Sequence, residues 1–313
     1  MTVVTLSDVQ MNVVRPNAPV LGKLVTNEIC TASRKAAGVV RHIAIDISGT
    51  PLVGAFRVGQ AFGVVPPGLT AKGKPEKVRL YSIACPSSGE DGASAVLSTT
   101  VKRVIDEHWD DHRLFLGVAS NFLCDAQIGD EIKVSGPNGK RFLLPVDVNN
   151  HDYVFVATGT GIAPFRGMVK ELLDAGCERS ITLLMGAPYH TDLIYHEQFK
   201  ALEESHPNFT YLTAISRETN ADGAPGLYVH HRLERDFEQV RSVFEAGDAM
   251  LYICGVLGME LGIYQALAGA LEPDALDQYL HVAPEALADP ASWTRSMLRK
   301  EIEPTSRVMV EVY

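Results

Sequence analysis

Four short stretches of the sequence hold residues whose types and spacing could do chemistry. "ATGTGIAPFR" (157–166) runs from an apolar strand through Gly159, Thr160 and Gly161 into a helical segment. Glycines let a backbone come close to a phosphate, and a helix start offers an anion unpaired N–H groups and a positive dipole end. Pro164 suits the first helical turn, where no N–H partner is lost. A third glycine is missing and no acidic residue follows at a set distance, so the pattern departs from the usual dinucleotide fingerprint. Taken alone, the two glycines read equally well as a tight strand-to-helix turn. "RLYS" alternates, putting Arg79 and Tyr81 on one strand face and Leu80 and Ser82 on the other. A guanidinium for a diphosphate and a ring for stacking then share a side, although a solvated strand face is the ordinary reading of such a tetrapeptide. "CGVLGME" (254–260) sets Cys254 behind an apolar strand, where most cysteines are inert core residues. The sequence closes on "VMVEVY" (308–313), an apolar run presenting Glu311 and Tyr313 where chain ends usually fray.

Two kinds of scaffold must position these residues. In the first half, 38–48, 59–68, 78–84, 114–120 and 130–139 alternate apolar and polar residues between turn signals. About six such strands with few helices predict a closed antiparallel barrel. In the second half, 153–159, 180–187, 209–216 and 250–255 are continuous apolar strands separated by helix-compatible segments such as "HEQFKALEES" and "MELGIYQALAGAL", with a further helix from about 164 to 175. That alternation predicts a Rossmann-like parallel sheet with helices on its faces. "PVDVNNHD" (145–152) has turn composition and divides the chain into domains 1–149 and 150–313; the stretch 272–293 reads as an insertion.

Composition narrows the function. A chain of 313 residues with a net charge of −10 is a poor candidate for nonspecific nucleic-acid binding. The charge is uneven: residues 1–150 carry 16 basic against 14 acidic residues, and 151–313 carry 12 against 24. "MTVVTLSDVQ" lacks the basic-then-apolar pattern of a secretory signal, and no run of about 18 apolar residues suggests a membrane span. The five cysteines have neither zinc nor disulfide-scaffold spacing. A cytoplasmic protein without a metal centre is expected.

In order along the chain, "RLYS", "GVASNFLCD" (117–125), "GTGIAPFR", "CGVLGME" and "VEVY" resemble the plant-type ferredoxin–NADP(+) reductase family. The resemblance runs from about Gly22 to Tyr313 and is thin before residue 40 and through 270–305. It implies an FAD-binding barrel followed by an NADP-binding α/β domain. By that match, Arg79 holds the FAD diphosphate, Tyr81 packs on one flavin face, Ser82 sits near flavin N5, and Ser120 and Asn121 form the second diphosphate segment. Tyr313 stacks on the other flavin face and shields it until the nicotinamide arrives. Cys254, Ser82 and Glu311 position the nicotinamide. Lys102, Thr158, Gly159, Thr160 and Gly161 match contacts to NADP. Ser216 and Arg217, in "AISRETN", match the clamp on its 2′-phosphate, and Tyr228 the ring that stacks on its adenine. Four positions depart from the pattern: Ala119 replaces a frequent cysteine, Asp106 a tyrosine on the FAD adenine with Trp109 as a nearby stand-in, Gly226 a frequent basic residue, and His230 a glutamine.

The resemblance implies an oxidoreductase that moves electrons between NADP(H) and an acidic carrier, ferredoxin or flavodoxin. Lys74, Lys77 and Lys140 match or flank the carrier contacts, though such a lysine run is also an ordinary solvated loop. The alternatives are a flavoprotein reductase dedicated to an oxygenase, and a non-catalytic flavin- or nucleotide-binding regulator on the same fold.

Overall fold

Residues 4–219 and 223–313 are described by the computed structural model. The antiparallel half is built from strands β1 (Val20–Ile29), β2 (Val40–Asp46), β3 (Ala61–Val64), β4 (Arg79–Ser82), β5 (Val96–Lys102) and, beyond a small hairpin of β6 (Ile105–Glu107) and β7 (Leu114–Leu116), β8 (Glu131–Asn138). Six of them form one sheet in the order β4-β3-β8-β1-β2-β5. The outer strands meet where Ile83 bridges Thr99 and the Ala84 N–H donates to Ser98 O at 2.9 Å, closing the sheet into a barrel. Leu24, Ile43, Ile45, Phe62, Ile83 and Ile132 fill its interior.

The expected strand 114–120 is corrected. Only Leu114–Leu116 is extended; at Gly117 the chain turns into helix α1 (Val118–Asp125). Ala119 and Leu123, and Ser120 and Cys124, repeat at i, i+4 and are all buried, a helical period that the preceding "LFL" masks. Strands β1 and β5 also escape the sequence reading: β1 leaves Leu21, Val25 and Ile29 exposed, so its apolar residues do not mark the buried face. β5 buries Ser98, Thr99 and Thr100 along with its apolar residues, so no polar-out alternation exists to be seen.

The parallel half contains β9 (Tyr153–Thr158), helix α2 (Ile162–Asp174), β10 (Ile181–Ala187), α3 (His196–Ser205), β11 (Phe209–Ile215), α4 (Val229–Arg235), α5 (Glu238–Glu245), β12 (Met250–Gly255), α6 (Met259–Ala270), α7 (Pro273–Leu276), β13 (Leu280–Val282), α8 (Pro284–Leu287), β14 (Ile302–Pro304) and β15 (Val308–Val312). The sheet order is β11-β10-β9-β12-β15, every pair parallel. β10 and β12 are buried at every residue, which is why they read as unbroken apolar runs. Winding goes outward from β9 to β11 and then returns to β12 and β15. The switch point, where open α/β sheets take their ligands, therefore lies at the carboxyl ends of β9 and β12.

The stretch 272–293 is part of the core rather than an appendage. Leu276, Tyr279, Leu280, Ala286 and Trp293 are buried in the same cluster as α6, and the Tyr279 hydroxyl donates to Phe244 O at 3.0 Å. Its two helices are one turn each, opened by Pro273 and Pro284, and too short to reveal a period.

The chain divides into two compact units: Ser7–Leu144 with Ala163–Leu172, and the remainder from Pro145 with the residues through Leu6. The body of α2 thus belongs to the barrel unit, although its first residue, Ile162, follows the β9 turn. Among the described residues no helix is long and apolar enough to cross a membrane, and no group of three or more His, Cys, Asp or Glu is placed to hold a metal ion.

Candidate functional site

At the carboxyl end of β9 the two glycines of the turn answer different needs. Gly159 has φ +53°, and a Cβ there would meet nothing within 4 Å, so its face is open to an approaching ligand. At Gly161 a Cβ would lie 2.1 Å from Cys254 O; glycine is required for the turn to pass over the end of β12. Thr158 Oγ1 accepts the Val256 N–H at 2.9 Å and fixes the segment beyond β12. On the next strand Glu311 stands opposite Cys254. The Tyr313 N–H donates to Gly255 O and its carbonyl accepts the Leu257 N–H, both at 3.0 Å. Its hydroxyl lies 2.7 Å from Thr160 Oγ1. Thr160, Cys254, Glu311 and Tyr313 are thus gathered at the switch point by three neighbouring strands.

The electrostatics of this cluster favour neutral groups. Burial raises the Cys254 thiol, and the Glu311 carboxylate raises it further, so it stays protonated and is a contact group rather than a nucleophile. Desolvation pushes Glu311 up to about 7. The Glu311 side chain is nonetheless open to solvent, which tempers that shift without changing its direction. Tyr313 keeps 64% of its surface exposed, and desolvation raises its phenol to about 12 despite the Thr160 bond that favours ionisation.

In the barrel unit the burial along β4 does not alternate. Arg79 and Leu80 are exposed, Tyr81 and Ser82 half-buried. The Tyr81 ring lies 6.5 Å from Phe62, and desolvation, then the Cys124 thiol on α1, raises its phenol to about 12. Ser82 O accepts the Thr99 hydroxyl at 2.7 Å. Arg79 curls back to donate to Lys77 O and Val78 O. Ser120 and Asn121 turn inward. The Ser120 hydroxyl donates to Gly117 O and accepts the Val104 N–H; the Asn121 amide donates to Val104 O and Gly117 O and accepts from Arg103. These side chains shape the turn, leaving the first-turn N–H groups of α1, which no side chain caps, to meet an anion. Sequence reasoning passed over Arg103; its only signal was its place beside Lys102 in "VKR". Lys102, Lys74, Lys77 and Lys140 are exposed. So is the whole β6–β7 hairpin, which presents Ile105, Leu114, Phe115 and Leu116 to solvent with Trp109 96% exposed between its strands, an apolar surface suited to a partner or ligand. Asp106 pairs with Phe115 across it.

Beyond β11, the Ser216 and Arg217 N–H groups donate to Ala187 O and Pro188 O, fixing the backbone from which both side chains project. A Cβ at Gly226 would lie 2.7 Å from Ile215 O and Ser216 O. The missing basic residue therefore has a steric cause. Tyr228 is 61% exposed, its ring parallel to His230 at 5.9 Å with His231 close by. "AISRETN" ends on Asn220, outside the described residues.

Comparison with known proteins gives the family. The family model described as Oxidoreductase NAD-binding domain matches residues 155–264. The ferredoxin–NADP reductase of Spirulina sp is 33% identical over 270 residues, 84% of this chain and 90% of that protein. The chain belongs to the ferredoxin–NADP reductase family. The chloroplastic leaf isozyme 1 of Arabidopsis thaliana, also a ferredoxin–NADP reductase, is 34% identical over 273 residues, 85% of this chain and 74% of that protein. The solved ferredoxin–NADP+ reductase from Plasmodium falciparum superposes with a TM-score of 0.70 at 22% identity, over 97% of this chain and 99% of that one, a shared fold.

The residues present fit the two nucleotides of a ferredoxin–NADP reductase. The uncapped start of α1 and the half-exposed Tyr81 suit a flavin dinucleotide; the open face of Gly159 and the exposed Tyr228 ring suit a second. The network behind β4 joins one motif residue to partners that no motif contains. Arg166, on α2, donates to Ala84 O at 2.9 Å and pairs with Glu90, which also accepts the Ser98 hydroxyl. Gly167 lets the helix backbone close on Cys85 O, and Glu171 accepts both the N–H and the hydroxyl of Ser87. The segment directly after "RLYS" is thus gripped by one helix face. Arg166 ends the quoted "GTGIAPFR", but Glu90 lies in a turn-like "SSGEDG" that gives no hint of its partner.

Proposed function

We propose that this chain is an FAD-dependent reductase that moves electrons between NADP(H) and a one-electron carrier, ferredoxin or flavodoxin. The observation that carries the reading is the gathering of Thr160, Cys254, Glu311 and Tyr313 at the switch point, in a chain one-third identical to ferredoxin–NADP reductases. A bound flavin would supply a hydride acceptor at N5 and a one-electron donor to the carrier. The chain's own groups bind and orient. Arg79 and the α1 N–H groups, shaped by Ser120 and Asn121, hold the FAD diphosphate, while Tyr81 and Tyr313 cover the two flavin faces. Gly159, Thr160 and Lys102 take the NADP diphosphate, with Thr158 and Gly161 fixing the turn. Ser216 and Arg217 clamp the 2′-phosphate, and Tyr228 stacks on the adenine. Ser82, the neutral Cys254 thiol and Glu311 set the nicotinamide against the flavin, where orientation carries much of the rate. The division into an FAD-binding 1–149 and an NADP-binding 150–313 follows from these roles. None of the five cysteines forms a disulfide, which suits a reducing compartment such as the cytoplasm.

The protein is expected to purify yellow, and its colour to bleach far faster with NADPH than with NADH in stopped-flow mixing. A colourless preparation that takes up no FAD, or a preference for NADH, overturns the reading. Exposed Lys74 and Lys77 form the carrier surface: the double charge reversal K74E/K77E slows ferredoxin reduction steeply at low salt and little at high salt. An unchanged low-salt rate removes these lysines from the interface.

Glu311 gives a pH signature. With its carboxyl pushed up to about 7, it is neutral below that pH and negative above it. The oxidised nicotinamide is a cation, so NADP+ binding tightens as pH rises through about 7. E311Q, neutral at every pH, flattens the profile; a bend that survives E311Q belongs to another group.

A further inference from the structure

Tyr313 is held at two points of different kind. Its main chain is tied to Gly255 and Leu257, the segment that follows β12. Its ring, mostly exposed, has one polar anchor, the 2.7 Å bond from its hydroxyl to Thr160 Oγ1. The main-chain bonds leave the side-chain torsions free to turn, whereas the hydroxyl bond holds only while the ring stays in place. Thr160 is the central residue of the turn offered to a phosphate, and the flanking contacts fix its position. Ile162 N–H closes back on Gly159 O and Thr160 O, and Gly161 is pressed onto Cys254 O. A rigid hydroxyl on one side and a rotatable phenol on the other make a latch.

We propose that Thr160 is a positioning residue that latches the Tyr313 ring, and so sets how much of the bound NADP(H) has its nicotinamide engaged. The inference rests on the proposed function, in which this ring covers the flavin and yields to the nicotinamide. The ring cannot leave without breaking the bond. A net hydrogen bond of this type biases a two-state equilibrium by about two- to tenfold, and apparent affinity scales with the fraction in the competent state. The latch therefore weakens NADP(H) by that factor, but not a ligand that ends before the nicotinamide. Product leaves more readily as a result, because the returning phenol recovers its partner.

The test is a double-mutant cycle of Tyr313→Phe and Thr160→Val, reading the dissociation constants of NADP+ and of 2′-phospho-ADP-ribose, which keeps both phosphate groups and lacks the nicotinamide. Taking their ratio cancels any direct contact between Thr160 and the diphosphate. In Y313F the ring is kept and the latch lost; the ratio shifts toward NADP+ by about two- to tenfold. T160V gives the same shift, and the double variant goes no further than either single one. A ratio unchanged in Y313F, or two shifts that multiply, overturns the latch. Thr160→Ser retains the hydroxyl and must restore the wild-type ratio; should T160V not fold, Y313F and T160S decide the matter between them. Wild-type protein that binds neither ligand defeats the functional reading itself, a result distinct from an unshifted ratio.

Discussion

Glu90→Ala is expected to unfold this protein at a lower temperature than wild type. The Arg166 and Glu90 side chains are only 12% and 22% exposed. Removing the carboxylate takes the ionic partner from the Arg166 guanidinium, which keeps its bond to Ala84 O, and the acceptor from the Ser98 hydroxyl. Breaking a fully buried pair from one side costs about 3–5 kcal/mol; with Glu90 partly exposed and Arg166 still bonded to Ala84 O, the loss is about 2 kcal/mol, nearer that of a hydrogen bond to a charged group, and lowers the midpoint by roughly 4–8 °C. Glu90→Gln keeps an acceptor for Ser98 and loses less. His42 adds a pH dependence with the same origin. Its Nε2 lies 3.4 Å from Glu90, and burial, then Arg166, lowers its pKa to about 4 against an ordinary 6.5, with Glu90 opposing. The unfolded chain therefore binds a proton more readily, and stability is lost as pH falls from about 6.5 to about 4. Glu90, lowered by Arg166 and Ser98 against the opposing pull of burial, adds a loss at lower pH still. His42→Gln is expected to flatten the upper part of the acid-denaturation curve. Thermal melts of E90A, E90Q and H42Q across pH check both statements; an E90A melt within 2 °C of wild type would show that the network carries little of the barrel's stability.

Reversing the charge at Arg217 is expected to erode the preference for NADPH over NADH by about two orders of magnitude. A charge-assisted hydrogen bond to a phosphate is worth about 1.5–3 kcal/mol, and a carboxylate in its place adds repulsion of the 2′-phosphate. For Arg217→Glu, kcat/KM for NADPH falls by about 100-fold or more on that basis, through KM rather than kcat, because the lost contact is made equally in ground and transition states. NADH, which has no 2′-phosphate, changes little. A drop in kcat with both nucleotides would place Arg217 in the folding or hydride-transfer geometry instead. The effect is magnified by Gly226: with no side chain there, Arg217 has no basic neighbour at that position to share the load.

The sequence made the parallel half more legible than the barrel. β9, β10 and β12 are buried through most or all of their length, and a continuous apolar run with glycine punctuation says so directly. The barrel strands are half-exposed or lined with buried Ser and Thr, and β5 in particular hides among turn-forming residues. For the site, glycines and rings stood out by type, while their partners did not. Nothing local relates Thr160 to Tyr313, 153 positions apart, or Glu90 to Arg166, 76 apart. Side chains such as Ser120 and Asn121 matched a ligand segment by motif, yet their hydrogen bonds point into the turn and hand the ligand's contacts to the backbone. Motifs identify the segment; only packing decides which atoms of it remain available.

The assignment of Ala163–Leu172 to the barrel unit bears on how this chain can be cut and recombined. Phe165 lies 5.9 Å from Phe142, and the Met168 side chain closes over Gly59. A fragment begun at Pro145 would carry a helix stripped of these partners, with greasy side chains turned to water and a strong tendency to clump. Chimaeras with a relative should instead take these crossovers into account, inheriting residues 7–144 and the ten from Ala163 to Leu172 from the same parent.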